Sequence, residues 1–513
     1  MSLNFGLLTI PEENGQTMAI PPLAEYRTLV AHNRGLNGKA PMAATTLASF
    51  ASSARQEALA AARDYTIMLG LNPGPTLPPG APIIASGHQP QSFHPGVMIK
   101  IAALTRAAGA VGAIPLFITV DSDEFRAENA ATPIVKSGRL EKLEYPLFPS
   151  RRHGLYETTP AEPLEDTLSR MEAMARFMDD GRLSSPRKAI DEFRIKLSGA
   201  RLDFPDYTSR AIAMRRAWLA PELDNFLEAP VSILAQGSSF LRFAGWILSD
   251  IGRFAACYNG ALEEYRRQRK LRYPANPFPN LEMEDGLIQA PFWALGPAGR
   301  QKLFVAPGAG EPLPLRVEDG RRLPMAALAE GSLRIRPKAI TLSLYMRLAL
   351  CDLFIHGVGG AKYDHVTDRL MEEYFKVTPP DYACVSATLW PGVAVVDPRP
   401  EIERIGRALR AMEQHPEVAG ADNPQIPPLA AEKGRLVVDI KAPGADKKLI
   451  GARISELNRL MAGCLTAQRR SLEMELEGLI PLEKERQAAQ DREYPYFLYS
   501  KKDFLDLSAT LGA

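Results

Sequence analysis

The sequence predicts an α/β protein: a parallel sheet covered by helices, interrupted by two insertions and followed by a C-terminal helical arm. Three observations carry this expectation. Apolar runs at 83–85 and 114–120 flank a helical pattern at 96–108, which is how parallel strands covered on both faces read. A second strand-like run at 352–356 enters a glycine-rich turn. From about residue 399 the chain becomes charged, with apolar residues at helical spacing.

Residues 1–80 form a helical lead-in. The stretch 43–63 is alanine-rich with helical spacing, and Asn72-Pro73-Gly74-Pro75 through Pro78-Pro79-Gly80 breaks the chain before the first strand. The core then spans 81–395, with insertions at about 126–228 and 272–335. The first insertion holds Arg151-Arg152-His153 and helical stretches near 164–178 and 187–197. A third strand is expected at Val231-Ser232-Ile233-Leu234-Ala235, followed by Gln236-Gly237-Ser238-Ser239 and a helix to about residue 269. The proline-rich 272–335, with β-like pieces at 287–293 and 302–305, reads as a small β subdomain.

Residues 396–513 read as arm and tail, with helices at 401–414 and 446–490 separated by a loop and a strand at 435–440. In the second helix Ile450, Ile454, Leu457, Met461, Cys464, Leu465, Leu472, Leu476 and Leu479 form a seam suited to a coiled coil or bundle face. The 401–414 helix is too short to cover it, so a homodimer through these helices is expected. Tyr494, Tyr496, Phe497 and Tyr499 should pack the tail back onto the body.

Composition narrows the function classes. A chain of 513 residues exceeds one ordinary core, so two or three domains are expected. The net charge of +1 argues against nucleic acid or an anionic membrane as partner. The four cysteines are far apart, which fits a reducing, cytoplasmic setting rather than a disulfide scaffold. No apolar run approaches the ~20 residues that span a bilayer, and the polar N-terminus lacks a signal-peptide core.

The most informative segment is Ser86-Gly87-His88-Gln89-Pro90-Gln91-Ser92-Phe93-His94-Pro95-Gly96, leading on to Lys100. A strand ending at Gly87 and a helix beginning at Pro95 would present His88, Gln89, Gln91 and His94 at the carboxyl edge of the sheet, where open α/β sheets bind ligands. The helix N-terminus offers N–H groups suited to phosphate or carboxylate. The second strand ends in Asp121-Ser122-Asp123-Glu124, acids that could bind hydroxyls, an amine or a metal. In Ile355-His356-Gly357-Val358-Gly359-Gly360-Ala361-Lys362-Tyr363-Asp364, glycines would let backbone N–H groups approach an anion and Lys362 would add charge. Arg336 upstream adds a basic group, and Asn276-Pro277 could face the site.

In their order and spacing these elements resemble the cysteine-adding enzymes of bacillithiol biosynthesis. That family carries T-G-Q-Q-x-G-L-F, then E-D-H-D, then I-G-G-G-G, then a long helical coiled coil. Ser86-Gly87-His88-Gln89 with Phe93, Val120-Asp121-Ser122-Asp123, and Ile355-His356-Gly357-Val358-Gly359-Gly360 correspond. His88 stands where the family has its first glutamine, His94-Pro95-Gly96 differs from its glycine–proline pair, and Ser122 replaces its histidine. The resemblance implies a Rossmann-like fold of the group that includes class I aminoacyl-tRNA synthetases and pantothenate synthetase. His94-Pro95-Gly96-Val97 is half of that group's H-x-G-H element.

The implied function is a ligase joining an amino acid, cysteine in the family, to a carboxylate or sugar-linked acceptor, with ATP or ADP as the nucleotide. His94, His88, Asp121 and Asp123 would be catalytic. Gly87, Gln89, Gln91, Lys100, Glu124 and Asn276 would bind substrate. Arg336, Gly357, Gly359, Gly360, Lys362 and Asp364 would bind the nucleotide or another anion. No metal is assigned. The alternatives are a nucleotidyl- or glycosyl-transferase and a non-catalytic nucleotide-binding scaffold.

Overall fold

The computed structural model describes residues 8–42, 45–149, 154–273, 275–297, 299–307 and 314–512. Arg151, Arg152 and His153, placed in the first insertion above, lie outside the described residues, as do Ala43 and Ala44 of the alanine-rich stretch.

The fold is mixed α/β around a six-stranded sheet built from β1 (Thr17–Ile20), β2 (Ile83–His88), β3 (Ile114–Thr119), β4 (Leu227–Pro230), β5 (Leu353–His356) and β6 (Ala383–Ala387). The order across the sheet is β1-β6-β5-β2-β3-β4. All neighbours are parallel except β1, which pairs antiparallel with β6 at one edge. From β2 the chain runs outward through β3 to β4, then returns to β2's other side for β5 and β6. The direction therefore reverses between β2 and β5.

Both faces of this sheet are covered, and the strands show it residue by residue. Ile83 and Ala85 of β2 and Leu116 and Ile118 of β3 enter one buried cluster. Ile84 and Phe117 between them enter the other. Alternation along a strand sends neighbours to opposite faces, so two cores require continuous apolar strands.

The Pro95–Val111 helix joins β2 to β3. Its first turn holds Pro95, its cap is His94, and it stops at Gly112 in a left-handed conformation (φ 74°) that glycine adopts without strain. The 126–228 segment contributes an antiparallel hairpin, Glu128–Lys136 with Arg139–Phe148, and three helices, Leu164–Arg176, Ser184–Ser198 and Tyr207–Leu219. The strands Met283–Glu284, Leu287–Gly296, Gly299–Val305, Pro314–Val317, Arg322–Pro324 and Ile335–Pro337 form a separate antiparallel sheet, as the β-like pieces suggest.

Four expectations about elements are corrected. The third parallel strand is Leu227–Pro230, and the expected Val231–Ala235 is instead helical at Val231–Leu234. The apolar run there was too short for periodicity to separate strand from helix. The lead-in supplies β1, a four-residue strand whose existence depends on β6. The expected strand at 435–440 lies in and just after the helix Ile426–Asp439. The expected single helix at 446–490 is two, Lys447–Cys464 and Thr466–Ala489.

These last changes bear on the arm. Leu457, Met461 and Leu465 are buried against Ile426 and Met412, in a small core of the arm's own. The Ile426–Asp439 helix therefore covers part of the seam that the Arg399–Gln414 helix alone could not. No helix among the described residues is long and apolar enough to cross a membrane.

A buried ion cluster ties β4 to its covering helix. Glu228 accepts from Arg215 and from Thr119 Oγ1 at 2.6 Å, and Arg216 lies 3.7 Å away. None of these charged side chains is more than 1% exposed. Removing one member of such a cluster strands its partners in a low-dielectric interior. Glu228→Ala should cost about 3–5 kcal/mol, measured by urea unfolding. A loss below about 1 kcal/mol would mean that the arginines find other compensation.

Candidate functional site

The carboxyl ends of β2 and β5 lie side by side where the strand order reverses. Ser86 Oγ donates to the Ile355 carbonyl at 2.8 Å across this junction. Gly87 is required on steric grounds, since a Cβ there would stand 2.6 Å from the Ile118 carbonyl oxygen. Lys100, on the first turns of the Pro95–Val111 helix, reaches back beneath the junction. Its Nζ donates to the Gly87 carbonyl at 2.6 Å, and its Cδ would lie 3.8 Å from a Cβ at Gly357. Lys100 is buried, and that burial, with Arg215 nearby, pulls its ammonium down to about 7.

His88 ends β2 half-buried, its ring 4.6 Å from that of Phe93. Burial, then the Lys100 charge, hold it well below the ordinary histidine range, so it is neutral at pH 7. Its Nδ1 is enclosed with no hydrogen-bond partner among the described residues, and the same holds for Nε and Nη1 of Arg215. The Arg215 guanidinium lies over Phe93 and Phe117, 5.8 and 5.0 Å from the ring centres. Lys100, His88 and Arg215 thus form a basic cluster with donor capacity to spare.

Both ring nitrogens of His94 are taken up by backbone groups. Its Nδ1 accepts from the Gly96 N–H at 2.8 Å, which assigns the proton to Nε2, and Nε2 donates to the Leu389 carbonyl at 3.0 Å. The ring packs edge-on to Tyr499, and burial with Arg492 nearby brings it down to about 3. The expectation that its ring points at a ligand is corrected: His94 is a neutral helix cap. Proline at the first turn, which helped mark it, is equally the mark of a cap. Gln91 is exposed.

The acids lie beside the basic cluster. Asp123 Oδ2 accepts from Gln89 Nε2 at 3.0 Å and its Oδ1 from Arg300 Nη1 at 2.8 Å, with 37% of the side chain open to solvent. Gln89 follows His88 directly, so it links the two clusters. Asp121 is buried, and its Oδ1 accepts from the Ser232 N–H at 2.9 Å. Burial raises its carboxyl to about 7 despite that bond, and the nearby Glu157 adds to the rise. Arg336 is taken up by Glu157, with bonds of 3.0 and 2.7 Å. It therefore belongs to the acidic side rather than to the glycine turn where the sequence placed it. Glu124 is exposed, 3.8 Å from Arg300.

The glycine segment is shorter than expected. Gly357 caps the Val358–Leu370 helix, which already contains Gly359 and Gly360. Gly360 admits the His356 ring, which a Cβ would meet at 2.7 Å from Nδ1. Lys362 is half-buried and makes no hydrogen bond or ion pair among the described residues. Asp364 is not available to a ligand. It is buried between Arg347 Nη1 at 2.7 Å and His356 Nε2 at 2.9 Å. Burial alone would raise its carboxyl, but Arg347 and His356 hold it below the usual range. Asn276 is exposed in a turn whose bonds run to Arg266 and Tyr273, so the structure does not join it to either cluster.

Sequence reasoning missed Arg215, Glu157 and Arg300. Arg215-Arg216 was detectable in principle, since a basic pair inside the apolar stretch Ala211–Leu219 is hard to solvate. Glu157 and Arg300 carried no local signal. Among the described residues, no group of three or more histidines, cysteines or acids is arranged to hold a metal ion. Neither a scan against protein-family models nor a search of curated proteins returns a match to this chain.

The depressed Lys100 makes stability depend on pH. The unfolded chain keeps this lysine protonated up to about 10.5, whereas the folded chain releases the proton near 7. Between these values the unfolded state holds more protons, so stability rises with pH, and below about 7 the full cost of the buried charge remains. Lys100→Met should be more stable than wild type at pH 6, and the difference should shrink steadily from pH 7 to pH 10. Chemical unfolding at several pH values checks this, and a pH-independent difference would place Lys100 in a solvated site.

Proposed function

We propose that this chain is a ligase-type enzyme. It joins an amino acid, cysteine by the resemblance stated above, to a carboxylate or sugar-linked acceptor. One observation carries the reading: Gln89 bonds Asp123 while its neighbour His88 sits with Lys100 and Arg215, so acidic and basic clusters adjoin at the carboxyl edge. The strand order supports a doubly wound, Rossmann-like sheet, whose ligands bind where the order reverses.

In this reading the basic cluster, the capped helix at Gly357 and Lys362 hold the anionic end of a nucleotide or activated acid. Asp123 holds the incoming amine. As the new C–N bond forms, the acyl carbon–oxygen bond breaks and the leaving oxygen keeps the electron pair beside the cations. Asp121, titrating near neutral pH, takes the amine's proton.

Incubation of the full chain with cysteine, ATP and a panel of carboxylate acceptors tests this by mass spectrometry. The expected product weighs the sum of its two parts less one water. Asp123→Asn should slow its formation by ~10²-fold while leaving the melting temperature nearly unchanged. Nucleotide binding without product from any pair would favour a scaffold instead.

We also propose that the arm mediates homodimer formation. Leu449, Leu460, Met474 and Ile480 remain exposed on its last two long helices. Light scattering should give twice the chain mass at micromolar concentration, and a monomer there would show that the arm's own core suffices.

A further inference from the structure

A cleft lies at the end of the core sheet opposite the clusters described above. It has a volume of about 600 Å³, within the span of roughly 300–1,000 Å³ typical of small-molecule sites. Its floor is the start of the central strands, at Ile83, Ile114 and Asp352. It shares no residue with the Lys100 and Asp121 clusters.

Two arginines on this floor share one carboxylate. Asp352 is buried and holds β2 in place, its Oδ2 accepting from the Ile83 N–H at 2.8 Å. Two guanidinium groups converge on that one carboxylate, Arg55 at 2.9 Å and Arg34 at 3.4 Å. One positive charge is left over within this group of three, whereas Arg347, which also lines the cleft, is matched by Asp364 and Asp368. Both groups are held in orientation by carbonyls, Arg55 Nε by Ala349 at 3.1 Å and Arg34 Nη2 by Gly80 at 3.0 Å. A guanidinium has five N–H donors, so each retains donors beyond these bonds. Leu36, Leu47 and Leu59 also line the cleft and supply apolar surface.

We propose that this amino-edge cleft binds a small ligand that joins an anionic group, carboxylate or phosphate, to an apolar body. The anionic group pairs with Arg34 and Arg55, for which planar two-point recognition is favourable, and the body lies against the leucines. The site is independent of the ligase reading and stands or falls without it. It places the ligand on the charge that anchors the amino end of β2, the strand whose other end carries Gly87 and His88.

Isothermal titration calorimetry on the full chain with octanoate, octyl phosphate and octanol tests the proposal. One or both anions should bind about tenfold or more tighter than octanol. The preferred head group then distinguishes carboxylate from phosphate. Arg34→Met should remove that preference. Ser52→Trp, at an exposed position on the cleft wall, should block binding of all three while circular dichroism and melting temperature match the wild type. Lys448→Ala, an exposed charge on the arm, should change nothing. The proposal is overturned if octanol binds as well as the anions, if neither anion binds at millimolar concentration, or if binding survives Ser52→Trp. Should Arg34→Met fail to fold, Ser52→Trp decides alone.

Discussion

β2 is hydrogen-bonded along both edges, and its alternate side chains enter two separate cores. Nothing about it can shift without cost on all four sides. Gly87 meets the tightest demand, where β3 leaves no room for a Cβ. The freedom that remains is at the strand's ends. At the amino end Asp352 takes up the Ile83 N–H and is itself matched by two arginines. At the carboxyl end the chain must leave the sheet, turn, and start a helix within a few residues.

That turn is held from several directions. His94 caps the helix, Gln89 bonds Asp123, and the Ser92 N–H donates to Glu128 Oε1 at 2.7 Å. The C-terminal tail also reaches it, with the Tyr496 N–H donating to the Phe93 carbonyl at 2.9 Å. The expected packing of Tyr494, Tyr496, Phe497 and Tyr499 onto the body thus holds the loop that carries the candidate site residues, and all four are buried. A loop fixed this way keeps its polar groups in position, so little ordering cost remains for any contact they make.

The charge distribution follows from burial more than from count. The chain is nearly neutral overall, yet Lys100 and Arg215 sit together with Glu228 shared between Arg215 and Arg216. Burial, and cations crowded in the interior, make proton release easier, and Lys100 shows this. His88 Nδ1 and Arg215 Nε and Nη1 have no hydrogen-bond partner among the described residues. The acids show the converse: Asp121 is driven up by burial, while Asp364, equally buried, is held down by two basic partners.

Periodicity and punctuation are local properties, and these the sequence determined by itself. The apolar runs of β2 and β3, the helix beginning at Pro95, the β segment after residue 283 and the helical arm were all legible, because each is written within one window of the chain. So was the grouping of His88, Gln89 and Asp123 at strand ends. Only the tertiary structure decided which side chains turn inward and what they meet. His94 reads as a ligand-facing group until Leu389, 295 positions away, takes its Nε2. Asp364 looks available until Arg347 closes on it, and Arg336 looks like an anion ligand until Glu157 claims it. β1 is four unremarkable residues until β6 offers an edge. For His94, Arg336 and β1 the deciding partner lies far off in sequence, and for Asp364 it lies 17 positions back on another element; burial makes its presence or absence worth more than any local preference.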